Sequence, residues 1–226
     1  MSLTKTKGNN YPWITHAHTH LGGECPHKCS YCYVSTFPFG RPEKYCGQLR
    51  LIEKEFNVKY GNGKVIFMEN CNDLFASAVP DIFIIKIVKH CLEWPDNTYV
   101  WQTKNPERYL TIDALMPEKS MFGTTIETNR DIPDISGAPS PEERMLAMTK
   151  LLGVRKFVTI EPALDFDVDI LFEWIIKIAP EFVNIGADSK GHGLPEPTKE
   201  KIHSLIKKIK GSGIELREKH NLYRLK

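Results

Sequence analysis

Three cysteines that lie close together in the sequence are the residues most able to do chemistry. Cys25, Cys29 and Cys32 form a Cys-x3-Cys-x2-Cys array. Thiolates are the usual ligands of iron–sulfur clusters and are common ligands of structural zinc. A four-iron cluster normally takes four cysteine ligands, so three cysteines with no evident fourth indicate a cluster whose last ligand comes from outside the protein.

A structural zinc site is the alternative interpretation of these cysteines. His27, His20 or a more distant residue would then complete a tetrahedral set of ligands. Zinc ligands typically come as two separated pairs, however, and Cys46, Cys71 and Cys91 form no second Cys-x2-Cys pair. The array therefore favours a cluster over zinc.

The elements that must position these cysteines follow a βα pattern, in which short apolar runs alternate with longer segments of helical period. We predict strands at 13–18, 64–68, 98–103, 121–127, 156–161, 182–186 and 214–217, and helices at 43–60, 81–94, 106–115, 141–152, 168–179 and 198–210. Ser140 and Glu143 have the spacing of a capping box, and Gly61 and Gly153 lie where helix C-caps are expected. The predicted fold class is α/β, a partial, open β/α TIM-like barrel with about six parallel strands. We expect residues 1–226 to form a single domain.

In such a barrel the carboxyl ends of the parallel strands meet at one mouth, so the residues just past each strand are candidates for function. The alternation of side chains along a strand predicts that Thr125 and Glu127 share one face. The candidates at the mouth, besides the cysteine loop after the first strand, are Asn70, Cys71, Asn72, Asp73, Lys104, Thr125, Glu127 and Glu161.

Several of these residues also have a more ordinary explanation. The Asn and Asp residues at 70–73 could form Asx turns, Lys104 could be an exposed lysine, and Glu161 could form a salt bridge with a lysine. Cys46 and Cys91 fall in predicted helices and are expected to be structural. The ordinary explanation of Cys71 is a buried free cysteine that packs as a small apolar residue. The acidic run of Asp165, Asp167 and Asp169 is expected to cap a helix rather than to bind calcium.

Composition sets broad limits on partners and location. The chain has 226 residues, 41% of them hydrophobic, and a formal net charge of +2, so overall charge identifies no partner. The segment from Lys199 onward carries nine Lys or Arg and three Glu residues, which could meet phosphate groups or serve solubility. Residues 1–10 lack the apolar stretch of a secretory signal and no apolar run is long enough to span a bilayer. We therefore expect a cytoplasmic protein with no membrane partner.

The cysteine array resembles the signature of the radical S-adenosylmethionine (SAM) superfamily, including the aromatic Tyr31 before the third cysteine. The chain also resembles the phage-associated radical SAM proteins related to spore photoproduct lyase. That resemblance rests on the Asn-Asp-Leu-Phe turn at 72–75, the stretch 103–108, the Ile-Glu-Thr-Asn segment at 126–129, Ile-Glu-Pro at 160–162 and the segment 218–222. It covers most of the chain.

The resemblance implies a set of cofactors and contacts. The three cysteines would bind a [4Fe–4S] cluster, SAM would occupy the fourth iron, and an external electron donor would reduce the cluster so that SAM is split to a 5′-deoxyadenosyl radical. Tyr31 would contact adenine and Lys104 the methionine carboxylate, while Thr125 or a neighbour would contact the SAM moiety. The SAM amino group would meet one of the polar residues at 70, 72 and 73, and Thr125 with Glu127 would suit the ribose. Glu161 would add a further carboxylate to the cofactor site. The superfamily's usual Gly-Gly-Glu segment is replaced here by residues 68–70.

The lyase resemblance and the basic residues Lys207, Lys208, Lys210, Arg217 and Arg224 favour a nucleobase in DNA or RNA as the substrate, in a repair or modification step, and a small metabolite or a peptide is the alternative. By analogy with the lyase, Cys71 would act as a hydrogen donor.

Two other functions are weighed against this one. His16, His18 and His20 resemble the first strand of a barrel metallohydrolase, but the later strands supply too few further ligands. These histidines could instead line the substrate cavity, shuttle protons or pack inside the barrel. The second alternative is a zinc-stabilised module whose basic tail binds nucleic acid.

Overall fold

The computed structural model describes residues 3–6, 10–37 and 42–226. The strands in these residues are β1 (Thr4–Lys5), β2 (His16–His18), β3 (Leu21–Gly22), β4 (Arg50–Leu51), β5 (Val65–Met68), β6 (Thr98–Thr103), β7 (Ser120–Thr125), β8 (Arg155–Ile160), β9 (Phe182–Ile185) and β10 (Glu215–Glu218). The α-helices are α1 (Asp81–Leu92), α2 (Tyr109–Ile112), α3 (Pro141–Lys150), α4 (Val168–Ile178) and α5 (Lys199–Gly211).

The central sheet is open and almost entirely parallel. Its strand order is β1-β2-β5-β6-β7-β8-β9-β10. β1 pairs antiparallel with β2 at one edge, and every later pair in the sheet is parallel. Because β1 and β10 lie at opposite edges, the barrel does not close, which confirms the predicted α/β partial barrel.

Side-chain alternation divides the apolar residues between two cores. The larger core fills the space between the sheet and the helices, and a smaller aromatic core lies inside the barrel around Tyr11, Phe157 and Phe182. The rings of Phe157 and Phe182 stack with centroids 5.3 Å apart. A Cβ at Gly123 would lie 2.1 Å from the Phe157 ring, so only glycine fits at this point of β7.

Most predicted elements form within two or three residues of their predicted ends. The predicted capping box at α3 is present, with Ser140 Oγ accepting from the Glu143 N–H and the Glu143 carboxylate accepting from the Ser140 N–H. The predicted helix at 106–115 is instead a short α2 flanked by the 3-10 turns Pro106–Arg108 and Asp113–Leu115. The chain ends in a further 3-10 segment, His220–Leu225.

The predicted helix at 43–60 is wrong. This segment contains the 3-10 turns Glu43–Tyr45 and Glu53–Asn57, with β4 between them pairing antiparallel with β3. Gly47 has a φ of 72°, a backbone conformation that breaks a right-handed helix and that glycine adopts without strain. Gly61 therefore lies in irregular backbone rather than at a helix C-cap, and Cys46 is exposed outside any helix.

In the part of the chain that the structure describes, none of the helices has the length and apolar character needed to cross a bilayer.

Candidate functional site

The three cysteines of the array line one cavity at the carboxyl end of β2. Cys25, Cys29 and Cys32 are each half-buried, and together with Cys71 they line a cavity of about 130 Å³. Burial raises the pKa of the Cys25 thiol to about 12, and the nearby charge of Asp73 adds to this shift. The raised pKa favours the protonated thiol, whereas a bound metal would favour the thiolate because it stabilises the negative charge on sulfur.

This donor set fits an iron–sulfur cluster. Cys25, Cys29 and Cys32 line one cavity, and three thiolates can each bind a different iron of a [4Fe–4S] cluster. Among the described residues, no three His, Cys, Asp or Glu side chains gather around a single point as ligands of one metal ion. A cluster does not require such a gathering, since its thiolates bind separate irons.

Asp73 fixes the cysteine loop to the barrel. Its buried carboxylate accepts hydrogen bonds from His27 Nε2 at 2.8 Å, Thr103 Oγ1 at 2.6 Å and the N–H of Lys104 at 2.8 Å. Burial opposes ionisation, but these hydrogen bonds and the charge of His27 outweigh it, so the pKa of Asp73 lies below its usual value. Because His27 lies between two of the cysteines, this pair connects the loop to the ends of β5 and β6.

A buried carboxylate, Glu127, lies between two cations near the cysteine loop. Its oxygens accept from Lys104 Nζ at 2.5 Å, from Arg144 Nη1 at 2.7 Å and from the hydroxyl of Tyr31. Burial alone would raise the pKa of Glu127, but the charges of Lys104 and Arg144 and the hydrogen bonds from Lys104 and Tyr31 lower it to about 2. Three sequence-predicted residues (Tyr31, Lys104 and Glu127) therefore meet in one network.

Arg144 was not among the residues singled out in the sequence. It comes from α3, its side chain is fully buried, and its Nη1 also donates to the Thr125 carbonyl oxygen at 3.0 Å. A lone arginine on an amphipathic helix carries no signal of such a role, because its partner is distant in sequence. The only signal in the sequence was the capping box, which marks where α3 begins, and Arg144 lies close to that N-terminal end.

Thr125 and Glu161 belong to a polar layer inside the barrel. Thr125 Oγ1 accepts from Gln102 Nε2 at 3.0 Å, and Tyr11 connects Gln102 to Thr159. Glu161 forms a salt bridge with Lys219 at 2.7 Å, which is the ordinary explanation weighed for it in the sequence. Thr125 and Glu127 are both buried, as expected for side chains that face the interior.

Asn70 and Asn72 make local hydrogen bonds. Asn70 Oδ1 accepts from Thr19 Oγ1 at 3.0 Å, and the buried Asn72 donates to the Gly23 carbonyl oxygen at 3.0 Å. Asn72 Oδ1 also accepts from the N–H of Asp73. The Asx turn considered in the sequence is made by Asp73, whose Oδ1 accepts from the Phe75 N–H two residues on at 3.0 Å. Asn70 is only half-buried, so it is the more accessible of the two.

The histidines of β2 and the following loop are engaged in internal contacts. His20 is fully buried between Glu69, 2.8 Å from its Nδ1, and Tyr60, whose hydroxyl lies 3.0 Å from its Nε2. His18 Nε2 lies 3.3 Å from the Glu55 carbonyl oxygen, and burial lowers the pKa of His18 to about 4. His16 Nδ1 lies 2.8 Å from Thr15 Oγ1. This arrangement matches inward polar packing rather than a metallohydrolase centre.

Cys71 lines the same cavity as the cysteine array, and Tyr33 lies against it. The Tyr33 hydroxyl donates to the Asn70 carbonyl oxygen at 2.5 Å and lies 3.4 Å from Cys71 Sγ. Tyr33 was not singled out in the sequence, although its position directly after Cys32 was a usable signal. Cys91, by contrast, is fully buried in α1, as predicted.

Most of the basic residues near the C-terminus are paired with carboxylates. Lys208 pairs with Asp169, Lys210 with Glu218, Arg217 with Glu215 and Arg224 with Glu196. These contacts reduce the positive charge that the segment could offer to a phosphate backbone.

The acidic run before α4 also forms ion pairs rather than the predicted caps. Arg130 contacts both Asp165 and Asp167, and Lys201 Nζ lies 2.6 Å from Asp165. Asp167 occupies the N-cap position of α4 without a side-chain capping bond.

Comparison with known proteins shows similarity in structure only. Neither a known protein-family model nor a curated protein matches the chain. A spore photoproduct lyase cysteine mutant superposes with a TM-score of 0.65 and 13% identity, covering 96% of this chain and 80% of that one. A spore photoproduct lyase mutant with bound AdoMet and dinucleoside spore photoproduct superposes with a TM-score of 0.57 and 16% identity, covering 89% of this chain and 62% of that one. Streptococcus suis SuiB bound to precursor peptide SuiA superposes with a TM-score of 0.62 and 10% identity, covering 91% of this chain and 49% of that one. The chain therefore has the partial-barrel α/β fold of the radical SAM enzymes, to which spore photoproduct lyase and SuiB belong.

Proposed function

We propose that this protein is a radical SAM enzyme that holds a [4Fe–4S] cluster on Cys25, Cys29 and Cys32. The observation that carries the proposal is that these three thiols line one cavity at the mouth of a barrel with this fold. When bound and reduced by an external electron donor, the cluster supplies the electron that splits SAM into methionine and a 5′-deoxyadenosyl radical. The protein's own residues would hold SAM and exclude water.

The Glu127 network supports a place for SAM beside the cluster. The Lys104 side chain is 15% exposed and its ammonium has three N–H groups, so it can contact Glu127 and still neutralise the methionine carboxylate. Tyr31 lies next to a proposed cluster ligand, where its ring can contact adenine. Thr125 and Glu127 are proposed for the ribose.

The amino group of SAM needs hydrogen-bond acceptors, and the available ones differ in access. The carboxylate of Asp73 is already bound by donors within the protein, and Asn72 is buried in its turn. Asn70 is half-buried and its carboxamide oxygen keeps one lone pair. Among residues 70, 72 and 73, Asn70 is therefore the candidate best placed to accept from SAM.

Metal analysis after anaerobic reconstitution tests the cluster. We expect brown protein with about four irons per chain, and loss of iron when Cys25, Cys29 or Cys32 is changed to Ala. Cys46→Ala is the matched control, because Cys46 is exposed and does not line the cavity. Colourless protein that binds one zinc would refute the proposal and favour a zinc-stabilised module.

Cys71 is proposed as a hydrogen donor to a substrate radical. It lines the cluster cavity, and the hydroxyl of Tyr33 lies 3.4 Å from its sulfur. In Cys71→Ala we expect full iron content and normal SAM cleavage with loss of product formation. Loss of iron in this variant would show that Cys71 serves the cluster instead.

For the substrate we propose a nucleobase in DNA or RNA, as a repair or modification step. Support comes from the fold shared with the lyase, which has been solved with a dinucleoside spore photoproduct. SuiB, solved with a precursor peptide, makes a peptide the second candidate. Binding of labelled oligonucleotides that weakens as salt rises would support the first candidate. No binding at low salt would contradict it.

A further inference from the structure

The loop at 132–138 lies directly against the cysteine loop and is tied to it through the backbone. The Ser30 N–H donates to the Ile135 carbonyl oxygen at 2.9 Å, and the Gly137 N–H donates to the His27 carbonyl oxygen at 2.8 Å. A Cβ at Gly137 would lie 3.2 Å from that same oxygen, so the approach is close. Ser136, between these two points, is therefore held in a fixed place.

The side chain of Ser136 contacts one of the proposed cluster ligands. Ser136 Oγ lies 3.1 Å from Cys29 Sγ, and Ser136 is only 5% exposed. The Ala138 N–H donates to Ser136 Oγ at 3.2 Å, which leaves the hydroxyl hydrogen for another acceptor. A cluster-bound thiolate can only accept, so Ser136 would be the donor to Cys29.

We propose that this hydrogen bond from Ser136 to the Cys29 sulfur raises the reduction potential of the cluster. The inference rests on the proposed function. Reduction adds one electron to the cluster and its thiolates, and a hydrogen bond to sulfur stabilises that extra negative charge. Since Ser136 is buried and Cys29 is half-buried, water competes less for the contact than it would in open solvent, and the stabilisation is correspondingly stronger.

Ser136 is also a contact that mutation can remove cleanly. The sulfur of Cys25 receives its hydrogen bonds from the backbone of His27 and Asp73, which no side-chain substitution deletes. Ser136→Ala removes one hydroxyl and leaves the backbone bonds of the loop in place. Ser136→Thr keeps the hydroxyl. Ser30→Ala is the matched control, because Ser30 is exposed and lies in the cysteine loop itself.

The test is the midpoint potential of the reconstituted cluster, measured without SAM by a redox titration followed by electron paramagnetic resonance. The potential is recorded on the protein fraction that carries the cluster, after iron and sulfide analysis of each variant. We expect a more negative potential in Ser136→Ala than in the wild type, and potentials near the wild-type value in Ser136→Thr and Ser30→Ala.

An unchanged potential in Ser136→Ala with an intact cluster would overturn the inference and leave the proposed function standing. An equal negative shift in Ser30→Ala would also overturn it, because the shift would then come from loosening of the loop. Wild-type protein that binds no cluster would instead refute the proposed function, and the inference with it.

Discussion

Replacing Glu127 by Gln tests whether the network at the mouth is built as the structure shows. The glutamate is fully buried and bound by Lys104 and Arg144, of which Arg144 is also fully buried. Glutamine keeps the size of the side chain but removes the negative charge. Two cations, the partly exposed Lys104 and the buried Arg144, then remain beside a buried neutral group.

The cost can be estimated from the pKa of Glu127. A fall from the ordinary value of 4.5 to about 2 corresponds to about 3 kcal/mol of stabilisation of the charged form. Removing one partner of a buried ion pair typically costs a similar ~3–5 kcal/mol. Because the folded pKa lies below the unfolded one, this stabilisation is present above pH 4.5 and is lost as pH falls towards 2.

Urea unfolding of the protein without cofactors, at neutral pH, measures this cost. With a slope of about 2–3 kcal/mol/M, Glu127→Gln should unfold at a urea concentration about 1–1.5 M lower than the wild type. The control is Glu181→Gln, since Glu181 is 42% exposed and its pairing with Arg155 should contribute less than about 1 kcal/mol. An unfolding midpoint for Glu127→Gln equal to that of the control would refute the reasoning.

Three further predictions concern the rest of the site. Asp73→Asn should unfold at lower urea and lose iron to a chelator faster than the wild type, because it weakens the tie to His27; equal rates of iron loss would contradict this role. The folded pKa of His18 is about 4, below the unfolded 6.5, so stability should fall by about 2.5 kcal/mol between neutral pH and pH 4.5, and His18→Asn should flatten that part of the curve. A curve of unchanged slope in the variant would show that other groups cause it. Lys208→Ala and Lys210→Ala should change oligonucleotide affinity less than twofold, since both lysines are paired, and a large loss in a filter-binding assay would contradict that.

The sequence predicted the sheet well because its strands are short, apolar and buried. β6 occupies the predicted residues, and β7 and β8 are displaced by one or two. The failure at 43–60 has a local cause. Leu49, Leu51 and Phe56 pack on the core from short, separate elements, β4 with the residue before it and the 3-10 turn at Glu53–Asn57, rather than from one face of a helix. Gly47, with its positive φ, was the residue that argued against one.

The sequence could predict which candidate side chains lie near each other where position after a strand decides, and not where distant partners decide. The expectation that the cysteine loop and the residues just past each strand meet at the mouth of the barrel brought together Tyr31, Lys104 and Glu127, which contact each other in the structure. It could not show that Arg144 would reach Glu127 from α3, because that contact depends on how a helix packs. Nor could it show that Asp73 would be buried and bound within the protein, because its partner His27 lies 46 residues away in the sequence.

The most direct test of the proposed function is reductive cleavage of SAM by the reconstituted protein. Protein carrying its cluster is mixed with dithionite and SAM under anaerobic conditions, and 5′-deoxyadenosine is quantified. We expect 5′-deoxyadenosine and methionine from the wild type and from Cys46→Ala, and none from Cys29→Ala. Wild-type protein with a complete, reducible cluster that forms no 5′-deoxyadenosine would contradict it.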